Sequence, residues 1–121
     1  MMLVSKIAML GLVGLAVPAG AQSAAHGMQL FGQCGACHSI NGRGGRMGPD
    51  LKAVVGRKAG TLPGYSYSPA MKASGIVWND KTLAAFLASP QTVVHGTKMP
   101  YAGMPKPADR GDLVAYLKTL K

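Results

Sequence analysis

Residues 34–38 read Cys-Gly-Ala-Cys-His, and these are the only cysteines in the chain. Two cysteines three positions apart lie on one side of a helical turn, and the histidine that follows brings its imidazole in beside them. This spacing is the c-type haem attachment signature: both sulfurs reach vinyl groups on one side of a porphyrin as thioethers, and His38 is placed to ligate the iron. A chain that carries it must fold around a large flat prosthetic group. Other uses of the same residues fit less well. A thioredoxin-like pair needs a preceding strand and a βαβ context, and neither is visible. A zinc site needs four ligands, and only His26 and His95, both distant in sequence, remain to complete one. A structural disulfide between Cys34 and Cys37 would close too short a loop to stabilise much.

A cofactor-filled interior also suits the length. The chain has 121 residues, enough for one domain, and the first 21 read as something else. Lys6 is the only charge among them, an apolar run extends from Ile7 to Val17, and Ala19-Gly20-Ala21 closes the segment. A basic start, a short apolar core and a small-x-small end describe a secretory signal peptide, and the run is shorter than the ~20 apolar residues that a membrane span needs. The expected division is therefore a signal peptide over 1–21 and one domain over 22–121. Such a domain has a thin core of its own, and its seven aromatic residues leave room for a group in the middle.

The net charge is +9 for the whole chain and +8 without Lys6. An excess of this size favours acidic partners and speeds their encounter. The basic residues are scattered rather than clustered, and no nucleic-acid module pattern is present, so nucleic acid is not an expected partner.

Frequent Gly and Pro break the chain into short helices and loops, and no stretch alternates apolar and polar residues long enough for a sheet. Helices are predicted over 23–37, 69–74, 80–88 and 108–120. Ser68 caps the second, with Pro69 at its first position, and Asn79 caps the third. Pro90 ends the third or begins a separate short turn. Leu113, Tyr116, Leu117 and Leu120 form one stripe on the last helix, expected to pack on the first helix near Gly27 and Phe31. A second axial ligand for the iron is sought among His26, His95 and the methionines. Met99 and Met104 stand in a Gly- and Pro-rich loop, and residue type alone does not choose between them. Met28, Met47 and Met71 are read as core filling.

With these residues in view, the chain resembles the class I cytochromes c, the group of the mitochondrial cytochromes c and bacterial cytochromes c2. The resemblance covers about Ala25 to Leu120. It rests, in order, on Cys34-x-x-Cys37-His38, Gly48-Pro49-Asp50-Leu51, Gly56-Arg57-Lys58, Gly64-Tyr65-Ser66-Tyr67, Trp78, Gly96-Thr97-Lys98-Met99-Pro100 and the closing helix with Leu113 and Tyr116. It implies an all-α fold of short helices and loops around one haem c, held covalently by Cys34 and Cys37, with His38 and Met99 as the axial ligands. It further implies that the Pro49 carbonyl accepts from His38, that Arg57, Tyr67 and Trp78 bond the inner propionate region, and that Tyr101 flanks the exposed haem edge. Phe86 departs from the pattern, standing where many relatives have a tyrosine that bonds the methionine sulfur. His95 precedes Gly96 where relatives often have proline, and is read as an exposed loop residue.

The implied activity is that of a monomeric periplasmic single-electron carrier, not an enzyme. Its iron would cycle between Fe(II) and Fe(III), linking a membrane complex or dehydrogenase to an acceptor such as an oxidase. Arg43, Lys52, Lys72, Lys98 and Lys106 would ring the haem edge and meet acidic docking surfaces on a membrane oxidase, a bc1-type complex or a dehydrogenase, with transient contact at the membrane surface. Two other readings stand beside it: a peroxidase-like enzyme or ligand sensor with a displaceable distal Met, and a dedicated subunit of one oxidoreductase complex.

Overall fold

The computed structural model describes residues 22–44 and 47–121, together with Gly11. Apart from Gly11, the expected signal peptide lies outside the described residues. The order of elements is α1 (Ala24–Leu30), a 3-10 turn (Phe31–Gln33), α2 (Pro69–Ala73), α3 (Asp80–Ala88), α4 (Pro90–Val93) and α5 (Pro107–Leu117). Among the described residues the only β feature is an isolated antiparallel bridge between Lys58 and Val77. The predicted all-α class holds.

Local chemistry sets the helix ends. The Ser23 side chain accepts from the His26 N–H, and that of Ser68 from the Met71 N–H. At α3 the caps are reciprocal: Asn79 accepts from the Thr82 N–H, while the Thr82 hydroxyl accepts from the Asn79 N–H. Each such cap replaces a lost intrahelical partner and contributes ~1 kcal/mol. The first helix is shorter than predicted. After Leu30 the chain tightens to 3-10 geometry, with the Cys34 N–H on the Phe31 carbonyl, in a stretch where Gly32 and Gly35 weaken helical propagation. Pro90 takes the second of its expected roles and opens α4.

The frame is the pairing of α1 with α5, the most extensive helix contact among the described residues. Gly27 permits it: a Cβ there would fall on the Asp112 carbonyl oxygen and 2.8 Å from the Tyr116 Cβ. Phe31 then stacks on Tyr116 with ring centroids 5.4 Å apart, as the spacing predicted. Leu113, Val114 and Leu117 of α5 are buried in one continuous core with Leu83, Phe86 and Leu87 of α3. Lys118, at the end of α5, meets Asp80 at the start of α3 at 3.0 Å. Two methionines depart from expectation. Met71 is buried, but Met28 and Met47 are exposed, at 60% and 74%. Met28 lies on the outer face of α1 and Met47 at the rim of the central cavity, so neither fills core.

Candidate functional site

Between α3, α5 and the loops lies a cavity of about 320 Å³. Cys34, Cys37, His38, Pro49, Arg57, Tyr67, Trp78 and Met99 all line it. Residues up to 65 positions apart in the chain are thus brought to one apolar hollow, whose other walls include Leu83, Phe86, Leu113 and Leu117.

The motif turn supplies one wall. Cys34 and Cys37 are both free and half-buried. Burial, and then the neighbouring Cys37, pushes the Cys34 thiol up, which keeps it protonated. His38 follows, its Nδ1 2.7 Å from the Pro49 carbonyl oxygen. A carbonyl only accepts, so Nδ1 carries the proton and donates it, leaving the lone pair on Nε2 free for a metal. Burial holds the His38 pKa down, against smaller opposite effects of the Pro49 bond and the Asp50 charge. The ring therefore favours its neutral, ligating form.

Gly48 packs against the same imidazole. A Cβ on it would lie 2.5 Å from His38 Cε1 and 2.8 Å from Nδ1. The segment is fastened by backbone bonds from Gly48 N to the Cys37 carbonyl, 2.9 Å, and from Leu51 N to the Ser39 carbonyl, 2.8 Å. Gly48 and Asp50 belong to the Gly48-Pro49-Asp50-Leu51 string, yet the sequence by itself gives neither a role. The tight Gly-Pro-Asp string was the available signal.

Across the cavity, Met99 follows α4 in a loop braced at both sides. Its N–H reaches the Thr97 hydroxyl at 3.4 Å, its carbonyl accepts from the Tyr101 N–H at 2.9 Å, and the Lys98 ammonium donates to the Ser66 carbonyl at 3.0 Å. Met104 is different in kind: it is buried among core residues and absent from the cavity wall, and its N–H bonds the Leu87 carbonyl at 2.7 Å. His95 is exposed, as expected. His26 is engaged elsewhere, with its Nδ1 2.7 Å from Asp112.

Arg57 donates from Nη1 to the Asp50 carbonyl at 2.8 Å and from Nη2 to the Lys52 carbonyl at 2.6 Å. This leaves its other N–H groups for a ligand. Tyr67 is buried edge-on to Tyr65 at 4.7 Å, and burial raises its phenol pKa above the ordinary value against lesser lowering by the Leu62 main chain and Arg57. Trp78 is buried against Phe86, centroids 5.2 Å apart. Tyr101 lies half-buried on the cavity wall, its phenol raised by burial and then by Cys34.

Residues 24–121 match the cytochrome c family. The chain belongs to that family. Cytochrome c2 of Rhodomicrobium vannielii is 45% identical over 118 residues, covering 94% of each chain. Cytochrome c2 iso-2 of Magnetospirillum fulvum is 47% identical over 90 residues, 74% of this chain and 94% of that one. Among solved structures, cytochrome cH from Methylobacterium extorquens aligns with a TM-score of 0.75 and 45% identity, over 80% of this chain and 98% of the other. The fold is that of a class I cytochrome c, and the protein is an electron carrier rather than an enzyme. Its cofactor is haem c, bound covalently through Cys34 and Cys37. The residues present fit such a group: two free thiols stand at the edge of an apolar hollow, beside an imidazole whose proton is already held on the far nitrogen.

Proposed function

We propose that this cytochrome c is a soluble periplasmic shuttle in which His38 and Met99 are the axial ligands and Arg57, Tyr67 and Trp78 serve the propionate end. One observation carries the reading: all eight residues singled out from the sequence line a single cavity. When bound, the haem supplies the one-electron Fe(II)/Fe(III) couple. The chain does the rest. Pro49 holds the His38 ring by its Nδ1 proton, which fixes its orientation and raises the basicity of Nε2. Met99 offers a soft thioether that favours the ferrous state. His38 and Met99 would together hold the iron with protein side chains and so would leave it no position for a substrate.

The positive charge serves encounter. Arg43, Lys52, Lys72, Lys98 and Lys106 are exposed and are suited to acidic patches on a membrane oxidase, a bc1-type complex or a dehydrogenase. Steered association of this kind is fast and weak, and it falls as salt screens charges beyond ~8 Å at physiological strength. Export is supported by the character of residues 1–21 and by the Rhodomicrobium match, which covers 94% of this chain and so reaches into that segment. The acting form is the monomer formed by residues 22–121.

The deciding experiment is mass spectrometry with a visible spectrum of the exported protein. The expected mass is that of residues 22–121 plus one haem, with a low-spin ferric spectrum that carries the methionine–iron charge-transfer band at its red end. A colourless polypeptide, or a high-spin spectrum that takes up CO, would overturn the reading. So would oxidation by an acidic-faced oxidase at a rate indifferent to ionic strength.

A further inference from the structure

Asp50 is a buried carboxylate, 3% exposed, and neither ion pair among the described residues includes it. Its Oδ1 accepts from the Lys52 N–H at 2.8 Å and its Oδ2 from the Gly42 N–H at 3.0 Å. Both oxygens therefore face donors. A carboxylate satisfies both, whereas an amide offers one oxygen and would turn its NH2 against the other N–H. The Asp50 main chain is held as well, its carbonyl accepting from Arg57 Nη1 at 2.8 Å.

These bonds converge on Pro49, the residue before it. Gly48 and Leu51 on either side are fastened to Cys37 and Ser39, and the Asp50 carboxylate closes the remainder of the loop by drawing in Gly42. The Pro49 carbonyl, 2.7 Å from His38 Nδ1, cannot shift without moving Asp50. The charge matters too. The Arg57 guanidinium spends Nη1 and Nη2 on main-chain carbonyls rather than on the Asp50 carboxylate. Among the described residues the carboxylate has no direct ion-pair partner, and its negative charge acts on the His38 end of the cavity. A fixed negative charge in a low-dielectric surrounding opposes the addition of an electron nearby.

We infer that Asp50 is a positioning residue for His38: its carboxylate fixes the Pro49 carbonyl against the imidazole and holds down the reduction potential of the bound haem. The inference rests on the proposal that His38 is an axial ligand. It concerns the Asp50 side chain alone, and so extends beyond the His38–Pro49 bond itself.

The test compares the parent holoprotein with Asp50→Asn by midpoint potential, by NMR solvent exchange of the His38 Nδ1 proton and by urea unfolding. Substituting Asn is expected to raise the equilibrium ratio of reduced to oxidised protein about threefold at fixed ambient potential and to speed the exchange about tenfold, the low end of what losing a group that orients a metal ligand costs in affinity or activity. A potential equal to or below the parent's, with only the unfolding midpoint lowered, would make Asp50 merely structural and overturn the inference. If Asp50→Asn does not accumulate with haem, Asp50→Glu decides. It keeps the charge and displaces the oxygens, so faster Nδ1 exchange is expected, and exchange and potential both matching the parent's overturn the inference. The parent's own spectrum separates the two claims. Without a low-spin His/Met haem in the parent, the ligand assignment fails. With that haem present and the variants unchanged, Asp50 alone fails.

Discussion

Gly48 and His38 stand in such close contact that a single methyl group on the glycine would sit 2.5 Å from the imidazole Cε1. The ring has nowhere to retreat, because its Nδ1 is bonded to the Pro49 carbonyl one residue further on. Gly48→Ala is expected to cost ~1–3 kcal/mol of stability, as overpacking at a constrained contact does, and to lower the yield of haem-loaded protein. Haem content per polypeptide and a urea titration measure both effects. Normal loading with unchanged stability would mean that the loop gives way more easily than these contacts imply.

Gly27 makes the corresponding demand on the helix frame. Its Cβ would collide with the Asp112 carbonyl oxygen and stand 2.8 Å from the Tyr116 Cβ. Gly27→Ala gains helix propensity, ~1 kcal/mol in isolation, yet is expected to be destabilising overall, because α1 would have to lift away from α5. A lower denaturation midpoint checks the sign. A higher midpoint would show that intrinsic propensity outweighs the packing.

Met99 and Met104 separate by role. Met104 is 3% exposed in the core, so Met104→Ala is expected to cost ~2–5 kcal/mol, the usual range for a buried methionine, while the visible spectrum keeps its red-end band. Met99→Ala is expected to do the reverse, losing that band, turning high-spin and binding CO. If the Met104 variant were the one to lose the band, the distal ligand would be misassigned.

How far the molecule was readable in advance follows from the range of each interaction. The Cys34–His38 unit and the Ser68 and Asn79 caps act within five residues, and their chemistry is visible in a line of text, whereas the answering bond of Thr82 emerges only in the structure. The α1–α5 pairing was readable because Gly27 and Phe31 share a helical face with the right spacing toward Tyr116. Burial is another matter. Met28 and Met47 are as apolar as Met71, and only the placement of neighbouring elements decides that the first two face solvent. The role of Asp50 depends on a main-chain N–H eight positions away, which no pattern of side chains announces. Family resemblance, rather than composition, selected Met99 over Met104.

Asp112, on the last helix, ties down the start of the first, 89 positions earlier in the chain. Its Oδ1 accepts from the Ser23 N–H at 2.7 Å and its Oδ2 lies 2.7 Å from His26 Nδ1. The Ser23 bond, then the His26 bond, holds the Asp112 pKa below its ordinary value of 3.8. A carboxylate depressed in the folded state contributes stability that is fully present above its unfolded value and is lost as pH falls through the folded one. The contribution should therefore persist down to the ordinary value and disappear below it. The parent holoprotein, its haem held by thioethers, is expected to lose thermal stability more steeply in that acid window than Asp112→Asn, and the two melting curves should draw together as the pH is lowered. Thermal melts of both proteins at a series of acid pH values measure the difference. A separation that stays constant across the window would mean that Asp112 acts through packing and hydrogen bonding alone, and that its charge contributes nothing to the joint between α1 and α5.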